Sequence, residues 1–375
     1  MNHTLTDPYQ KLAETLIGYS TKLQKGEKIL IEVTAEEKQL TTAILNACYK
    51  VGAEPYLSIL PGCMVKPWLA QVTPEQLKKQ AEWDCARMSE MDAYIGIRVR
   101  NNIYEMNDIP EEKIRIYTQL LQHPVHHGIR VPKTKWVILR YPNDSMAQEA
   151  KMSTENFAKF YFDVCTMDYA KMSLRMDPLF DLLDKGKHIE IKAPGTHLTF
   201  SIEGISAIKC DGQRNIPDGE VYTAPVRDSV EGELTYNTPT TNQGQTFTGV
   251  HLVFEKGKIV KAEAGAQTKA LNAILDTDEG ARYIGEFAFG LNPYIERPMN
   301  DILFDEKIHG SFHFTPGACY DEASNGNSSA IHWDMVHIMR SEYGGGEIYC
   351  DGVLIQKDGR FCIKDLEGLN PENLK

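Results

Sequence analysis

Four short β-rich runs punctuate the first half of the chain, and what lies between them restricts the fold most. KILIEV (28–33), EPYLSIL (54–60), MDAYIGIRV (91–99) and KWVILRYP (135–142) are each bounded by breakers. Segments 8–24, 34–51 and 74–91 separate them with apolar residues at helical spacing, for example Leu12, Leu16, Ile17 and Leu23. Strand alternating with helix predicts a mostly parallel sheet covered on both faces. Residues 142–186 are expected to be helical, with breaks near Asn143-Asp144 and Ser153-Thr154. After Lys185-Gly186-Lys187 the texture changes. HIEIKAPGTHLTFSIEG (188–204), GVHLVFEKGKIVKAEAG (249–265) and the C-terminal GEIYCDGVLIQKDGRFCI read as hairpins, and 267–281 is the one clear helix. The expected fold is therefore α/β: an N-terminal α/β domain over 1–186, and a strand-rich α+β domain over 187–375.

Several function classes are excluded early. None of the strands is followed by GxGxxG or a Walker loop, which leaves nucleotide binding without support. The formal charge of −12 argues against a general nucleic-acid binder, which needs a basic face. No apolar run approaches the roughly 18–20 residues that span a bilayer. MNHTLTDPYQ lacks the regions of a secretory signal, and the eight cysteines contain no CxxC pair. A reduced, cytoplasmic enzyme with free thiols is expected.

The chemistry concentrates between Gly285 and Asp334. That stretch holds Glu286, His309, His313, Tyr320, His332 and Asp334, a density of oxygen and nitrogen donors for which a folding core has little use. His332 and Asp334 lie two apart, so on an extended strand they share a face, while Ile331, Trp333 and Met335 take the other. Buried carboxylates are rare unless paired or metal-bound. Glu286, with Gly285 before it and the aromatic FAFG after it, is poorly placed for simple solvation. Glu220 follows the rigid Pro217-Asp218-Gly219 turn; alone it reads as a solvated strand-end glutamate. His313, between two phenylalanines, alone reads as a satisfied core histidine, and the neighbouring His332/Asp334 pair raises its standing as a ligand. His309 and His337 read as surface residues or as supports behind the ligands. Glu306 and Glu231 are candidates for a general base, although each alone reads as a solvated or salt-bridged glutamate. No residue is assigned as catalytic.

The chain resembles the thermophilic metallo-aminopeptidases, the group that contains aminopeptidases T and S. The resemblance rests on YQKLAETLIGYSTKLQKGEKILIEV, RYPNDSMAQEAKMSTENF, NIPDGEVYTAP, YIGEFAFGLNP, LFDEKIHGSFHFTPGACY and AIHWDMV, which cover most of the chain in order. It implies a two-metal site of Glu220, Glu286, His313, Tyr320, His332 and Asp334, holding zinc, cobalt or manganese. It also implies a homodimer that releases the N-terminal residue of peptides. The connection between Tyr320 and His332, DEASNGNSSAI, departs from the family in being short. His309 and Pro316 are also unusual within their motif. The scaffold is similar as well to that of ring-cleaving dihydroxypyridine dioxygenases. There His332 and Asp334 would serve a single non-haem iron. Against this, Glu286 stands where that branch is expected to need its other histidine, and Glu220 and His313 point to two metals.

Overall fold

In the computed structural model, residues 7–375 apart from Gln243 are described, so part of the segment read for a leader lies outside them. Two compact units emerge. The first runs to Thr166 and takes in Gly212–Pro217; the second comprises Met167–Asp211 and Asp218–Lys375. The division therefore falls about one helix before the expected joint at Gly186. The helix Tyr169–Lys185 packs its Met172, Met176, Leu179 and Leu183 into the second unit rather than closing the first.

The first unit carries the expected sheet. Lys28–Val33, Glu54–Ile59, Ala93–Arg98 and Lys135–Arg140 are its strands, in the order second, first, third, fourth. All three pairings are parallel, and Asn215–Ile216 joins the far edge. The interior strand Lys28–Val33 is buried along nearly its whole length, as a strand covered on both faces must be. The second helix begins only at Gln39, because the Glu37 carboxylate accepts from the Leu40 and Thr41 amides and caps it there. Helices at Gly62–Gln71 and through Glu111–Lys133 were not legible in the sequence. Pro67 and Pro124 lie inside them, and the second is wound wider than an α-helix over Thr118–Arg130.

The second unit is strand-rich. An eight-stranded antiparallel sheet contains the hairpins His188–Ala193/Thr196–Ser201 and His251–Glu255/Lys258–Glu263, as read from their Pro-Gly and Lys-Gly turns. A separate five-stranded antiparallel sheet supports the donors. Its order is Val336–Ile338, Ser311–Pro316, Ile284–Gly290, Glu220–Thr223 and Ile208–Cys210. Strands Ile284–Gly290 and Ser311–Pro316 are buried on both faces, and one face is aromatic. Phe287, Phe289, Phe312 and Phe314 are fully buried there, with ring centroids 5.1–6.3 Å apart. Among the described residues, no helix is long and apolar enough to cross a membrane.

Candidate metal centre

Strand register brings the donors together. Opposite the aromatic face, Glu286 pairs with Thr315, Ala288 with His313, and Gly290 with Ser311. On the other side, Gly290 pairs with Glu220 and Ala288 with Tyr222, and Glu220 pairs in turn with Cys210. Residues directly opposite in an antiparallel pair project to the same face. One face therefore carries Cys210, Glu220, Glu286, His313 and Thr315, with only Ala288 and Gly290 at its centre. Small residues there leave room between the donors.

The His332 segment completes this face without forming a regular strand. Residues 331–335 run extended beside 314–318: Trp333 N donates to Pro316 O (3.1 Å) and Phe314 N to Met335 O (3.1 Å). The expected facing holds. His332 Nε2 and Asp334 Oδ1 lie 3.1 Å apart, while Trp333 and Met335 are buried on the other side. The short connection 321–331 is pinned throughout. Asn327 donates to the carbonyls of Gly280 (2.9 Å) and Gly317 (2.7 Å), Asn325 donates to Pro225 and Ile284 (2.7 Å each), and Asp278 accepts from Ala330 N (2.6 Å).

Two donor groups share Glu286. Glu220, Glu286 and His313 form one; Glu286, His332 and Asp334 form the other, and within each the ligand atoms all lie within 4.8 Å. His313 Nε2 is 2.8 Å from Glu286 Oε1 and 3.6 Å from Glu220 Oε2, and His332 Nε2 is 3.6 Å from Glu286 Oε2. Outside contacts orient the ligands. The Thr315 hydroxyl donates to Asp334 Oδ1 (2.7 Å), and His332 Nδ1 donates to Ala318 O (2.7 Å), leaving Nε2 toward the carboxylates. Tyr320, about half exposed, lays its ring against His332 at 4.7 Å and near Tyr222 at 5.7 Å.

Burial and close charges shift the titration of Glu286, His313, His332, Asp334 and Tyr320 in the cluster. Burial raises the Glu286 carboxyl above its ordinary range, and Asp334 and Glu220 add to the rise. Burial alone would lower His313, but its bond to Glu286 and the charges of Glu220 and Glu286 carry it to about 9. For His332 burial is likewise outweighed, by Asp334 first, and the imidazole reaches about 10. In return, His332 holds Asp334 well below the usual carboxylate range despite its burial. Desolvation, then Asp334 and Glu286, keep the Tyr320 phenol protonated. Among the described residues, Glu220 Oε2, Glu286 Oε2 and His313 Nδ1 are buried without a hydrogen-bond partner, a costly condition that a bound cation relieves for the oxygens. Hard oxygen and borderline nitrogen donors on facing strands suit divalent ions of the zinc, cobalt and manganese kind.

Sequence reasoning did not find Lys307. Its ammonium is buried, 3.1 Å from Glu220 Oε1 and in contact with Glu306 Oε1. Glu306 is thus not solvated; burial pushes its carboxyl up to about 8 against the pull of Lys307. Glu231, by contrast, accepts from Lys256 N at the exposed end of its strand. His337 is buried rather than superficial, stacked on Phe312, and His309 is half-buried.

A cleft of about 830 Å³ also lies in the first unit, at the carboxyl ends of its strands, lined by Glu32, Arg98 and Trp68 among others. Its main charges pair with each other, Arg98 Nη1 to Glu32 Oε1 at 2.6 Å, so it offers no comparable donor set.

The description "thermophilic metalloprotease (M29)" matches residues 6–361. The chain belongs to that family. It is similar over 96% of its length to aminopeptidase T of Thermus aquaticus, at 24% identity and over 99% of that protein. It is also similar to aminopeptidase AmpS of Bacillus subtilis, at 22% identity, over 82% of this chain and 83% of that one. Among solved structures, wild-type AmpT from Thermus thermophilus superposes with a TM-score of 0.79, covering 95% of this chain and 99% of that chain at 22% identity, which shows a common fold. Membership of a metalloprotease family favours the peptidase expectation over the dioxygenase one.

Proposed function

We propose that this metalloprotease-family chain is a metal-dependent aminopeptidase that holds two divalent ions through Glu220, Glu286, His313, Tyr320, His332 and Asp334. The observation that carries the proposal is the sharing of Glu286 between two donor groups, with buried carboxylate oxygens that have no hydrogen-bond partner among the described residues. Six donors exceed what one tetrahedral ion takes. The charge agrees: Glu220, Glu286 and Asp334 supply three negative charges toward two divalent cations.

Bound ions would supply Lewis acidity, acidifying water toward neutrality and polarising the scissile carbonyl. The chain's own residues do the rest. Glu286 presents one oxygen to each group, and Thr315 and Ala318 fix Asp334 and His332. Tyr320, by family resemblance a ligand, keeps a phenol that can instead donate to the developing oxyanion. A carboxylate-rich site also favours the positive α-amine of a peptide with a free N-terminus, which fits removal of one residue at a time. Zinc, cobalt or manganese as the ion, a homodimeric assembly and a cytoplasmic setting belong to the same proposal.

The test is metal content per chain after reconstitution, followed by leucine dipeptides as substrate. About two ions, as the shared donor set requires, with release of the N-terminal residue are expected. Two ions without peptide release would overturn the substrate, and one iron with oxygen uptake would overturn the class.

A further inference from the structure

A third donor group adjoins the first. Cys210 Sγ and carboxylate oxygens of Asp218 and Glu220 lie within 4.8 Å of one another, on the same sheet face as the proposed ligands. By composition it is a metal site of the softer kind, one thiolate and two carboxylates. The space is already served by a cation. Lys307 Nζ lies 3.1 Å from Glu220 Oε1 and 3.9 Å from Asp218 Oδ1, and touches Glu306 Oε1 as well.

The fold builds this placement. A Cβ on Gly290 would meet Ile308 O at 2.2 Å and Ser311 Oγ at 2.6 Å, so glycine there lets the 307–308 backbone run close over the sheet beside Glu220. Asn292 N bonds Lys307 O (3.0 Å), and Asn292 Nδ2 bonds Asp218 O (2.9 Å), tying the lysine and the aspartate to one residue. Gly219, at φ +134°, passes within van der Waals reach of the Asn292 backbone, where a side chain would be crowded.

We infer that Lys307 is a resident cation: it fills the Cys210–Asp218–Glu220 group, holds Glu220 by Oε1, and so leaves only Oε2 for the metal centre, limiting that centre to two ions. The two oxygens of Glu220 divide accordingly, Oε1 to the lysine at 3.1 Å and Oε2 toward His313 at 3.6 Å. Surrounding carboxylates hold the Lys307 ammonium charged even though burial opposes it. Lys307 is thus a positioning residue, and the inference rests on the two-ion reading of the site.

Cadmium tests it, because a thiolate–cadmium bond gives an ultraviolet charge-transfer band that carboxylate and imidazole ligation does not. With the exposed Cys63 and Cys362 replaced by serine in every sample, the otherwise wild-type protein loaded with cadmium is expected to take about two ions and to show no band that C210S lacks. C210S is expected to bind the same number. K307M, near in shape but uncharged, is expected to gain about one ion and the band, and K307M/C210S to lose the band again. K307R is expected to keep the wild-type count. A thiolate band in wild type that C210S lacks, or a lower count in C210S, overturns the inference whether or not K307M folds. A folded K307M with unchanged stoichiometry does the same. Wild type with one ion or none instead overturns the two-ion reading itself.

Discussion

His332 Nε2 and Asp334 Oδ1 meet at 3.1 Å, two residues apart on an extended segment that no regular strand contains. The segment keeps its shape through the bonds of Trp333 and Met335 to the neighbouring strand, so its donors are carried by backbone pairing and not by their own contacts. His332→Ala and Asp334→Ala are therefore expected to stay folded while losing metal. Activity should fall by about 100-fold or more, since each removes part of several kcal/mol of charge stabilisation. Circular dichroism and metal analysis of the same samples decide it: a fully active variant would take its residue out of the site.

Thr315→Val keeps shape and removes one donor, the hydroxyl that holds Asp334 Oδ1 at 2.7 Å. Loss of such a support typically costs about 10–100-fold in metal affinity. Competitive titration against a chromogenic chelator measures it, and unchanged affinity would show that Asp334 is held by the rest of the cluster.

Gly290→Ala tests the close passage of 307–308 over the sheet. The new methyl would sit 2.2 Å from Ile308 O, so the backbone must shift, at a cost of about 1–3 kcal/mol. A lowered urea midpoint is expected; an unchanged midpoint would mean that the segment yields freely.

Acid stability should carry the mark of His337. Buried against Phe312, with Thr235 O and Asn237 as its polar neighbours and no carboxylate bonded to it, it is lowered by burial from 6.5 to about 4. The unfolded chain thus binds this proton first. The stability it contributes is complete above about pH 6.5 and is lost as pH falls toward about 4. His309 and His126 are lowered to about 4 as well, also by burial, and act in the same window. The raised Glu306 and Glu286 carboxyls act in the opposite sense over part of that range, so the His337 share is read at its own ring: the imidazole resonance should remain that of the neutral ring at pH about 5, a unit above its folded pKa. An imidazole already protonated there would contradict the burial argument.

Chelation should lower the melting temperature as well as abolish activity. An ion present at about 100 times its dissociation constant stabilises the folded chain by about 2.7 kcal/mol per site. Stripped protein that melts like loaded protein would mean that the ions bind folded and unfolded chain alike.

The donors were legible in the sequence where they repeat along the chain. Period-two spacing gave the common face of His332 and Asp334, and the phenylalanines around His313 gave its direction. Thr315, Cys210 and Lys307 were not legible, because they join the cluster only through pairing between strands far apart in sequence. A lysine after Asp-Glu reads as solvated until Gly290 is seen to admit its backbone. In the first unit the strands were readable from their β-branched runs, whereas proline inside Gly62–Gln71 and Thr118–Arg130 concealed two helical segments. The division between units escaped because the turn at Gly186 ends a helix that packs forward into the second unit.

The aromatic and donor faces of the five-stranded sheet alternate residue by residue along 286–290 and 311–315. Slipping either strand by a single position would turn phenylalanines toward the ions and drive carboxylates into the aromatic layer. The register shift that the pair does contain, between Ile284 and Glu286, falls before the first donor, so the donors themselves stay in step. Variation in what such a protein accepts as substrate is left to the connections, and within 321–331 to positions other than the Asn325 and Asn327 side chains that hold it.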